Sequence, residues 1–293
     1  MLISSRFWAN GILLFVTLIW GATFTLTKSA LTKIPVFPYL TMRFLLATLV
    51  MSVLVFWDRD RMKSLHNFKL WMTGTSLGVL LFLGYALQTL GLQTIDPAVS
   101  AFLTGLSVIL VPIMAIFVLR QQSQWRTWIA AVIAAVGLGF LNGIHQLGHF
   151  SIGTVETLAC AVFLAMQIVA VDKWAIGYDS ISLTTIELLI VTLLSFVMSV
   201  HDGLSGFRQG ASGIVLIAVI VNGLLGTAFA YWAQLRFQRL TSASYVAVIF
   251  TMEPVFAAVI AFIAYHETMG LSALLGGALI VASMLLADAV PNT

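Results

Sequence analysis

The sequence predicts an all-α integral membrane protein with ten transmembrane helices, arranged as two inverted five-helix repeats around a central cavity. Only 9% of the 293 residues are charged and 60% are hydrophobic, whereas a soluble domain carries about 25% charged residues. Apolar runs long enough to cross a bilayer, which takes roughly 20 residues, recur along the chain. A weak internal repeat is the third observation. Because so few of its residues are charged, the chain has too few polar groups to cover a water-facing surface.

Ten apolar segments, joined mostly by short polar connections, are the predicted spans. They cover residues 7–27, 37–57, 69–91, 97–119, 125–143, 152–172, 181–200, 212–234, 243–265 and 270–288. The first run is too long for the core of a signal peptide and lacks a small-residue cleavage site, so we interpret it as a retained span. Five spans fall in each half, with the domains predicted at residues 1–148 and 149–293.

The positive charges of the connections predict the orientation in the membrane. Ten Lys and Arg residues fall on the side of the N-terminus: Arg6, Arg59, Arg61, Lys63, Lys69, Arg120, Arg126, Lys173, Arg236 and Arg239. Only Lys28, Lys33 and Arg208 fall in connections on the other side. The positive-inside rule then predicts that both termini are cytoplasmic, in a plasma membrane or a bacterial inner membrane. This asymmetry also accounts for the pI of 9.2, so we do not expect nucleic acid as a partner.

A repeated Tyr-x-x-Gln motif is the strongest internal signal. Tyr85-Ala-Leu-Gln88 returns 146 residues later as Tyr231-Trp-Ala-Gln234, and residues 98–141 align with 243–286 at an offset of 145. Because five is odd, the second half must enter the membrane upside down, and inverted repeats place substrate near the midplane. We expect the two polar pairs to lie in opposite halves of the membrane, flanking a central site. They could instead only bond neighbouring helices.

Four stretches of the sequence carry a resemblance to a known family. They are LIWGATFTLTKSAL on the first span, MRFLLATLVM on the second, AVSAFLTGLSVILVPIMAIF on the fourth, and TSASYVAVIFTMEPVFAAVIAF followed by His266-Glu267 on the ninth. In this order and spacing the chain resembles the EamA-type branch of the drug/metabolite transporter superfamily. It departs from that pattern after the fourth span, where Arg120-Gln121-Gln122 replaces the frequent Gly-Glu, and at His266, which replaces Gly. The resemblance implies a ten-helix basket whose cavity is lined by the first, third, fourth, sixth, eighth and ninth helices.

Polar and aromatic stripes on these helices supply the expected cavity residues. An amide that faces lipid has no hydrogen-bond partner, so stripes that mix amides with aromatic rings favour a cavity. The predicted substrate-binding residues are Trp20, Phe24, Tyr85, Gln88, Phe163, Gln167, Tyr231, Gln234 and Tyr245. A cavity with these walls suits a small amphipathic solute.

Glu253 is the acid that most needs a functional explanation. It lies near the middle of the ninth span, where a charge costs about 3 kcal/mol or more, and burial favours its protonated form. We therefore consider it a proton carrier, with a hydrogen-bonded structural lock as the alternative. Pro254, which follows it, and Pro112 on the fourth span are expected to kink their helices.

The other intramembrane charges have simpler explanations. Arg43 could neutralise an anionic group, but we favour a structural role at a helix terminus. Glu187 is expected near the cytoplasmic face, where it could reach the interface. Glu156 lies in the first turn of its helix, where the dipole favours a carboxylate.

Together these features favour a secondary transporter that works by alternating access and, by resemblance, exports small amphipathic metabolites such as amino acids. Efflux of hydrophobic or cationic toxic compounds is the alternative. No P-loop motif is present, so we do not expect ATP to drive it. Scattered acids make an intramembrane lipid enzyme less favoured, and we expect neither enzymatic activity nor a cofactor.

Metal binding and oligomerisation are not required by the sequence. Cys160 is alone, which leaves no disulfide within the chain. His145 and His149 are four residues apart, but the neighbouring Gly143 and Gly148 argue against the helix that would align them as metal ligands. Ten spans can enclose a cavity in one chain, so either a monomer or a homodimer is expected.

Overall fold

The computed structural model describes residues 2–120, 124–142, 151–201, 204–265 and 270–288, and within these ranges the regular structure is entirely helical. The α-helices are α1 (Leu2–Leu31), α2 (Val36–Phe56), α3 (Arg59–Ser64), α4 (Phe68–Thr94), α5 (Pro97–Gly105), α6 (Ser107–Leu119), α7 (Trp125–Asn142), α8 (Ile152–Trp174), α9 (Ser180–His201), α10 (Gly213–Gly223), α11 (Ala230–Phe237), α12 (Ala243–Phe250), α13 (Met252–Tyr265) and α14 (Leu271–Asp288). Short 3-10 helices cover Leu204–Ala211 and Gln238–Leu240, and a π-helical turn covers Leu224–Phe229.

Eight segments of the described chain are long and apolar enough to cross a membrane, so this is an integral membrane protein. They correspond, within a few residues at either end, to the first four predicted spans and the sixth to the ninth. The remaining two predicted spans correspond to α7 and α14, whose apolar parts, Trp125–Leu141 and Leu271–Ala287, are shorter. These two helices pack tightly against each other, since a Cβ at Gly137 would lie 2.8 Å from the carbonyl oxygen of Gly276.

Local signals in the sequence set several helix starts. The side chain of Asp58 accepts hydrogen bonds from the first turn of α3, and that of Asn67 does so for α4. Ser151 and Thr154 form a reciprocal capping box at the start of α8. Each cap satisfies a backbone N–H that the helix leaves unpaired. Helix α5 begins at Pro97, where the missing N–H costs nothing.

The departure from the family pattern at Arg120 is visible in the backbone. Arg120 ends α6 with φ of 55°, the one non-glycine residue with positive φ in the described ranges. This left-handed conformation favours glycine, because a Cβ crowds the following carbonyl. The Gly expected here by resemblance would therefore fit the backbone better than the arginine. Gln121, Gln122, His266 and Glu267 lie outside the described residues.

The two ends of the helix bundle are fixed by contacts between helix termini. Near the end of α1, Lys28 donates to the carbonyl of Ile95, which follows α4 (3.0 Å), and to that of Leu92. Gly91 of α4 packs on Gly153, at the start of α8. Helices α1 and α4 thus end where α8 begins, and we name this the Lys28 end. The opposite end, where α11 is followed by Gln238, is the Gln238 end.

Both halves contain one interrupted helix at the same place. The fourth predicted span is divided at Leu106 into α5 and α6, and the ninth is divided at Thr251 into α12 and α13. These positions differ by 145 residues, the offset of the repeat. Pro254 lies in the first turn of α13, directly after the interruption.

The first interruption does not coincide with Pro112, where the sequence predicts a kink. Helix α6 continues through Pro112, and the chain leaves the helix six residues earlier, at Leu106. Proline perturbs the turn before it, because its ring displaces the carbonyl four residues back. The break falls still earlier, between Gly105 and Ser107, so the proline does not mark it.

Candidate functional site

A cavity lies between the two halves of the bundle, and its empty space, together with the open solvent at its mouth, amounts to about 840 Å³. Helices α1, α2, α4, α5, α6, α8, α11, α12 and α13 all contribute to its walls. Towards the Lys28 end the walls reach Thr27 and Leu92, about one turn from the ends of α1 and α4. Towards the Gln238 end they stop at Gln167 and Gln234, which are buried and hydrogen-bonded to each other. The cavity therefore extends further towards the Lys28 end.

Most of the residues that the sequence analysis singled out line this cavity. They are Trp20, Phe24, Tyr85, Gln88, Gln167, Tyr231, Gln234, Glu253 and Pro254. The interruptions at Leu106 and Thr251 both lie beside it, since Gly105, Ser107 and Phe250 are also in the walls.

Two predicted residues lie elsewhere. On α8 the cavity wall is formed by Leu164, Gln167 and Ile168, while Phe163 is half-buried outside it. The helix is therefore rotated so that Gln167 still faces the cavity, with Leu164 beside it in place of Phe163. Tyr245 is buried in an apolar cluster with Leu13, and its hydroxyl accepts from Asn10 at 3.5 Å. Both corrections reflect helix rotation, which an apolar sequence pattern does not define.

Four aromatic rings form a connected group in the middle of the cavity. Tyr85 and Tyr231 contact each other with ring centroids 6.0 Å apart. Trp20 contacts Tyr231 at 5.8 Å and Phe250 at 5.0 Å. These separations are typical of stabilising edge-to-face or tilted pairs. The two tyrosines of the repeated motif thus meet, rather than facing each other from separate halves of the membrane.

Arg43 also belongs to the cavity wall, although the sequence analysis favoured a purely structural role. Its Nε donates to Thr227 at 2.8 Å, and one terminal nitrogen donates to Tyr85 and to the carbonyl of Gly226, each at 3.3 Å. Its guanidinium lies 4.7 Å from the centroid of the Tyr85 ring. A buried arginine held by neutral groups keeps its positive charge uncompensated.

The π-helical turn explains how Gly226 can accept these bonds. Its carbonyl accepts from the indole of Trp20 at 2.9 Å as well as from Arg43. The turn at Leu224–Phe229 is wider than an α-helical one and interrupts the regular backbone bonding. The irregular turn therefore anchors both a ring and a charge of the cavity.

Glu253 faces the cavity from the first turn of α13. In the described part of the chain it forms no ion pair with a lysine or arginine. Arg43 lies in the same cavity, near enough for its charge to act on Glu253. The backbone here is closely packed, since a Cβ at Gly21 would lie 2.6 Å from the carbonyl oxygen of Glu253. The cavity therefore holds one acid and one base that do not neutralise each other in an ion pair.

A chain of hydrogen bonds, the glutamine cluster, closes the cavity towards the Gln238 end. It consists of Gln167, Glu187, Gln234 and Gln238. Gln238 donates to the carbonyl of Ile168 at 2.6 Å, Gln234 donates to Gln238 at 3.2 Å and to Gln167 at 2.9 Å, and Gln167 donates to Oε1 of Glu187 at 2.9 Å. Sequence patterning alone found only Gln167 and Gln234.

Glu187 is not at the interface that the sequence analysis expected. Its side chain is fully buried, and Oε2 has no hydrogen-bond partner among the described residues. Helix α9 is packed against α2, α4 and α11, which leaves the side chain no path to solvent.

A second polar group, the asparagine cluster, lies between α1, α2 and α10. Asn222 donates to the hydroxyl of Tyr39 at 2.7 Å and to that of Thr27 at 3.0 Å. Thr27 also lines the cavity, on the side of the Lys28 end. Asn222 is fully buried, and its Oδ1 has no partner in the described ranges. This cluster contains no ionisable acid or base other than the tyrosine.

Hydroxyl groups form a part of the wall that is absent from the predicted substrate-binding residues. Thr23, Thr27, Thr89, Thr104 and Ser107 all face the cavity, and Thr104 accepts a hydrogen bond from Gln88 at 3.2 Å. Threonines are common in transmembrane helices, where they bond to their own backbone, so their presence is a weak signal. No group of three potential metal ligands occurs among the residues that the structure describes, and His145 and His149 lie outside them.

Comparisons with known proteins agree with this architecture. The chain is 29% identical over 86% of its length to an uncharacterized transporter of Archaeoglobus fulgidus, of which 76% is covered. It is 24% identical over 90% of its length to an S-adenosylmethionine uptake transporter of Rickettsia felis, with 87% of that protein covered. A known crystal structure, 19% identical, superimposes with a TM-score of 0.81 over 96% of this chain and 97% of that one, which shows the same fold.

The EamA-like transporter family matches the chain twice, at residues 7–143 and 151–287. The two matched segments cover both halves of the bundle and the helices that form the cavity between them. The protein is therefore a membrane transporter of the EamA-like family.

Proposed function

We propose that this protein is a secondary transporter of small amphipathic metabolites that carry both charges, such as amino acids. One observation supports this most directly: Arg43 and Glu253 line the same cavity, and in the described part of the chain neither has an oppositely charged partner. A solute with a carboxylate and an ammonium group supplies both counterions at once. Charges buried without partners are costly, so a solute that pairs with both Arg43 and Glu253 removes this cost and binds more tightly.

The remaining walls suit the apolar part of such a solute. Trp20, Phe250 and Tyr231 form a continuous aromatic surface beside the two charges. Arg43 has five N–H donors, of which the protein uses three, so a carboxylate can still be bound. S-adenosylmethionine, the solute named for the Rickettsia relative, also carries an α-amino acid group.

Alternating access requires two halves that can exchange roles, and we propose ten transmembrane helices in two inverted repeats. Support comes from helix direction, since α1 and α8, the first helices of the halves, run oppositely. The matching interruptions at Leu106 and Thr251 also support the repeat. With the positive residues on the cytoplasmic side, the Lys28 end faces outward and both termini lie inside.

Proton coupling through Glu253 completes the proposal. A proton and the ammonium group of a solute compete for the same carboxylate, so release of one favours binding of the other. Such competition exchanges protons for solute. Outward transport is what the family resemblance implies, whereas the Rickettsia relatives are named uptake transporters, so transport must be assayed in both directions.

A thermal-shift screen of the purified protein tests the solute class. The panel holds amino acids, S-adenosylmethionine, nucleobases, polyamines and lipophilic cations. Ligand at a hundredfold excess over Kd stabilises the folded state by about 2.7 kcal/mol. We expect zwitterionic solutes to stabilise the protein, and Glu253→Gln or Tyr231→Ala to reduce the shift.

Glu156→Gln is the matched control, because Glu156 is an acid of α8 that does not line the cavity. It should leave the shift unchanged. If solutes bind equally well to Glu253→Gln and to the parent, the proposed site is wrong. Stabilisation by lipophilic cations alone would instead favour efflux of toxic compounds, for which an aromatic cavity with one acid is also suited. Conversion of a lipid by the purified protein would support an enzyme.

A further inference from the structure

Glu187 is a buried carboxyl that the proposed solute site does not use. It is connected to the cavity wall through Gln167, which bonds to both Glu187 and Gln234. These three residues belong to three different helices, α9, α8 and α11, which the glutamine cluster holds together at the Gln238 end. Helix α4 packs against the same site, since a Cβ at Gly78 would lie 2.7 Å from the carbonyl oxygen of Glu187.

No positive group compensates Glu187 in the described part of the chain. Arg43 of α2 directs its bonds to Thr227, Tyr85 and Gly226. Lys69 of α4, Arg236 of α11 and Arg208 of the 3-10 helix before α10 are exposed to the surroundings. The basic residues of α3 lie at the surface, where Arg61 pairs with Asp58 and Asp179, and Lys63 pairs with Asp60. Tyr231 of α11 interacts with Glu187 electrostatically. Helix α8 adds two charged residues beyond Gln167, the half-buried Asp172 and the exposed Lys173.

The surroundings of the Glu187 carboxyl stabilise its neutral form and not its ionised form. One oxygen of Glu187 accepts from Gln167, and the other is buried with no donor among the described residues. An ionised carboxylate in this position would have one hydrogen bond, no cation and no solvent, a situation that buried charges tolerate only at high cost. Protonation removes the charge and retains the bond from Gln167.

We propose that Glu187 is a second proton-binding site, separate from the solute cavity, and that its proton keeps the Gln238 end closed. Loss of the proton leaves the Glu187 carboxylate charged and unsolvated among α4, α8, α9 and α11. Separation of these helices admits water, which solvates the charge and removes this cost. The Gln238 end therefore opens more readily as pH rises. The inference rests on the proposed alternating access, since it assumes that this end can open, but it requires no particular solute.

Accessibility of a single cysteine measures this opening without any solute. Val171 lies one turn beyond Gln167 on α8, buried in the apolar cluster of the Gln238 end with Leu183 and Leu235. Val171→Cys, in full-length protein that also carries Cys160→Ala, places one thiol there. Lys69→Cys in the same background provides an exposed thiol. The ratio of their rates with a neutral water-soluble maleimide is measured from about pH 5.5 to about pH 9. Because a buried thiol and an exposed thiol ionise differently, this ratio is compared with the same ratio in protein that also carries Glu187→Gln.

The expected ratio rises at least about tenfold with pH in the parent, because an unpaired buried charge is strongly destabilising. In Glu187→Gln, which mimics the protonated form, the ratio of the two rates should not change with pH. In the control Glu156→Gln the ratio should rise with pH as it does in the parent. A flat ratio in the parent overturns the proposal even if Glu187→Gln does not fold. It is equally overturned if Glu187→Gln titrates like the parent, or if Glu253→Gln alone abolishes the rise. A solute screen without hits, combined with a rising ratio, would reject the proposed solute class and keep this site.

Discussion

The asparagine cluster and the glutamine cluster fasten opposite ends of the bundle with different chemistry. In the first, Asn222 donates to two hydroxyls at 2.7 and 3.0 Å. In the second, a chain of amides ends on a carboxyl with one unpartnered oxygen. Hydrogen bonds between neutral groups keep the same strength over a wide pH range, whereas those of a carboxyl change when it gains or loses a charge. Only the glutamine cluster should therefore respond to proton concentration.

The difference also separates two tasks within one protein. The cavity charges Arg43 and Glu253 are available to a solute, while Glu187 is sealed away from the cavity by Gln167. A solute can thus be recognised in the middle of the bundle while pH acts on one end of it. Three substitutions test the difference between the two clusters.

The largest effect is expected from Asn222→Asp, which places a carboxyl in the asparagine cluster. The substitution removes both amide donors and leaves a buried acid without a cation. We expect its ionised form to lower the free energy of unfolding by about 3–5 kcal/mol, so that stability falls as pH rises. Thermal unfolding of purified protein across a pH series measures this. A variant whose loss is the same at every pH would mean that the site stays protonated or admits water.

An intermediate effect is expected from Gln167→Leu. It removes the donor to Glu187 and one acceptor of Gln234, which leaves polar atoms buried without partners. Such losses cost about 1–3 kcal/mol in the free energy of unfolding. The same unfolding experiment applies, with Glu156→Gln near the distant start of α8 as the matched control on the same helix. Unchanged stability of Gln167→Leu would show that the glutamine cluster does not hold the Gln238 end together.

The smallest effect is expected from Thr48→Val, which breaks the 3.0 Å hydrogen bond between Thr48 of α2 and Thr192 of α9. Interhelical bonds of this kind contribute about 0.6 kcal/mol in membranes. Valine keeps the shape, so we expect a loss of that size that does not vary with pH. A pH-dependent loss here would indicate that α9 responds to pH as a whole and not through Glu187.

The sequence predicted the eight long spans, the division into two repeats and most cavity residues because each rests on a strong physical constraint. Apolar length defines a span, and polar residues such as Gln88 or Glu253 must avoid lipid. Rotation of a helix is less constrained, since lipid and neighbouring helices both accept apolar side chains. That is why Phe163 and Tyr245 were placed wrongly, and why buried Glu187 was expected at the interface. Gln238 was missed because it lies four residues beyond the predicted span, which ends at residue 234.

The π-helical turn at Leu224–Phe229 also explains why the residue offset between matching positions of the two halves is not constant. Tyr85 and Tyr231 are 146 residues apart, whereas the later positions Leu106 and Thr251 are 145 apart. A π turn contains one residue more than an α turn, so it acts as a one-residue insertion, and α12, with 8 residues against the 9 of α5, restores the offset of 145. Deleting one residue from it would rotate Tyr231 by about 100° relative to α10. The contact between the two tyrosines thus depends on a small difference in length between two otherwise matching halves.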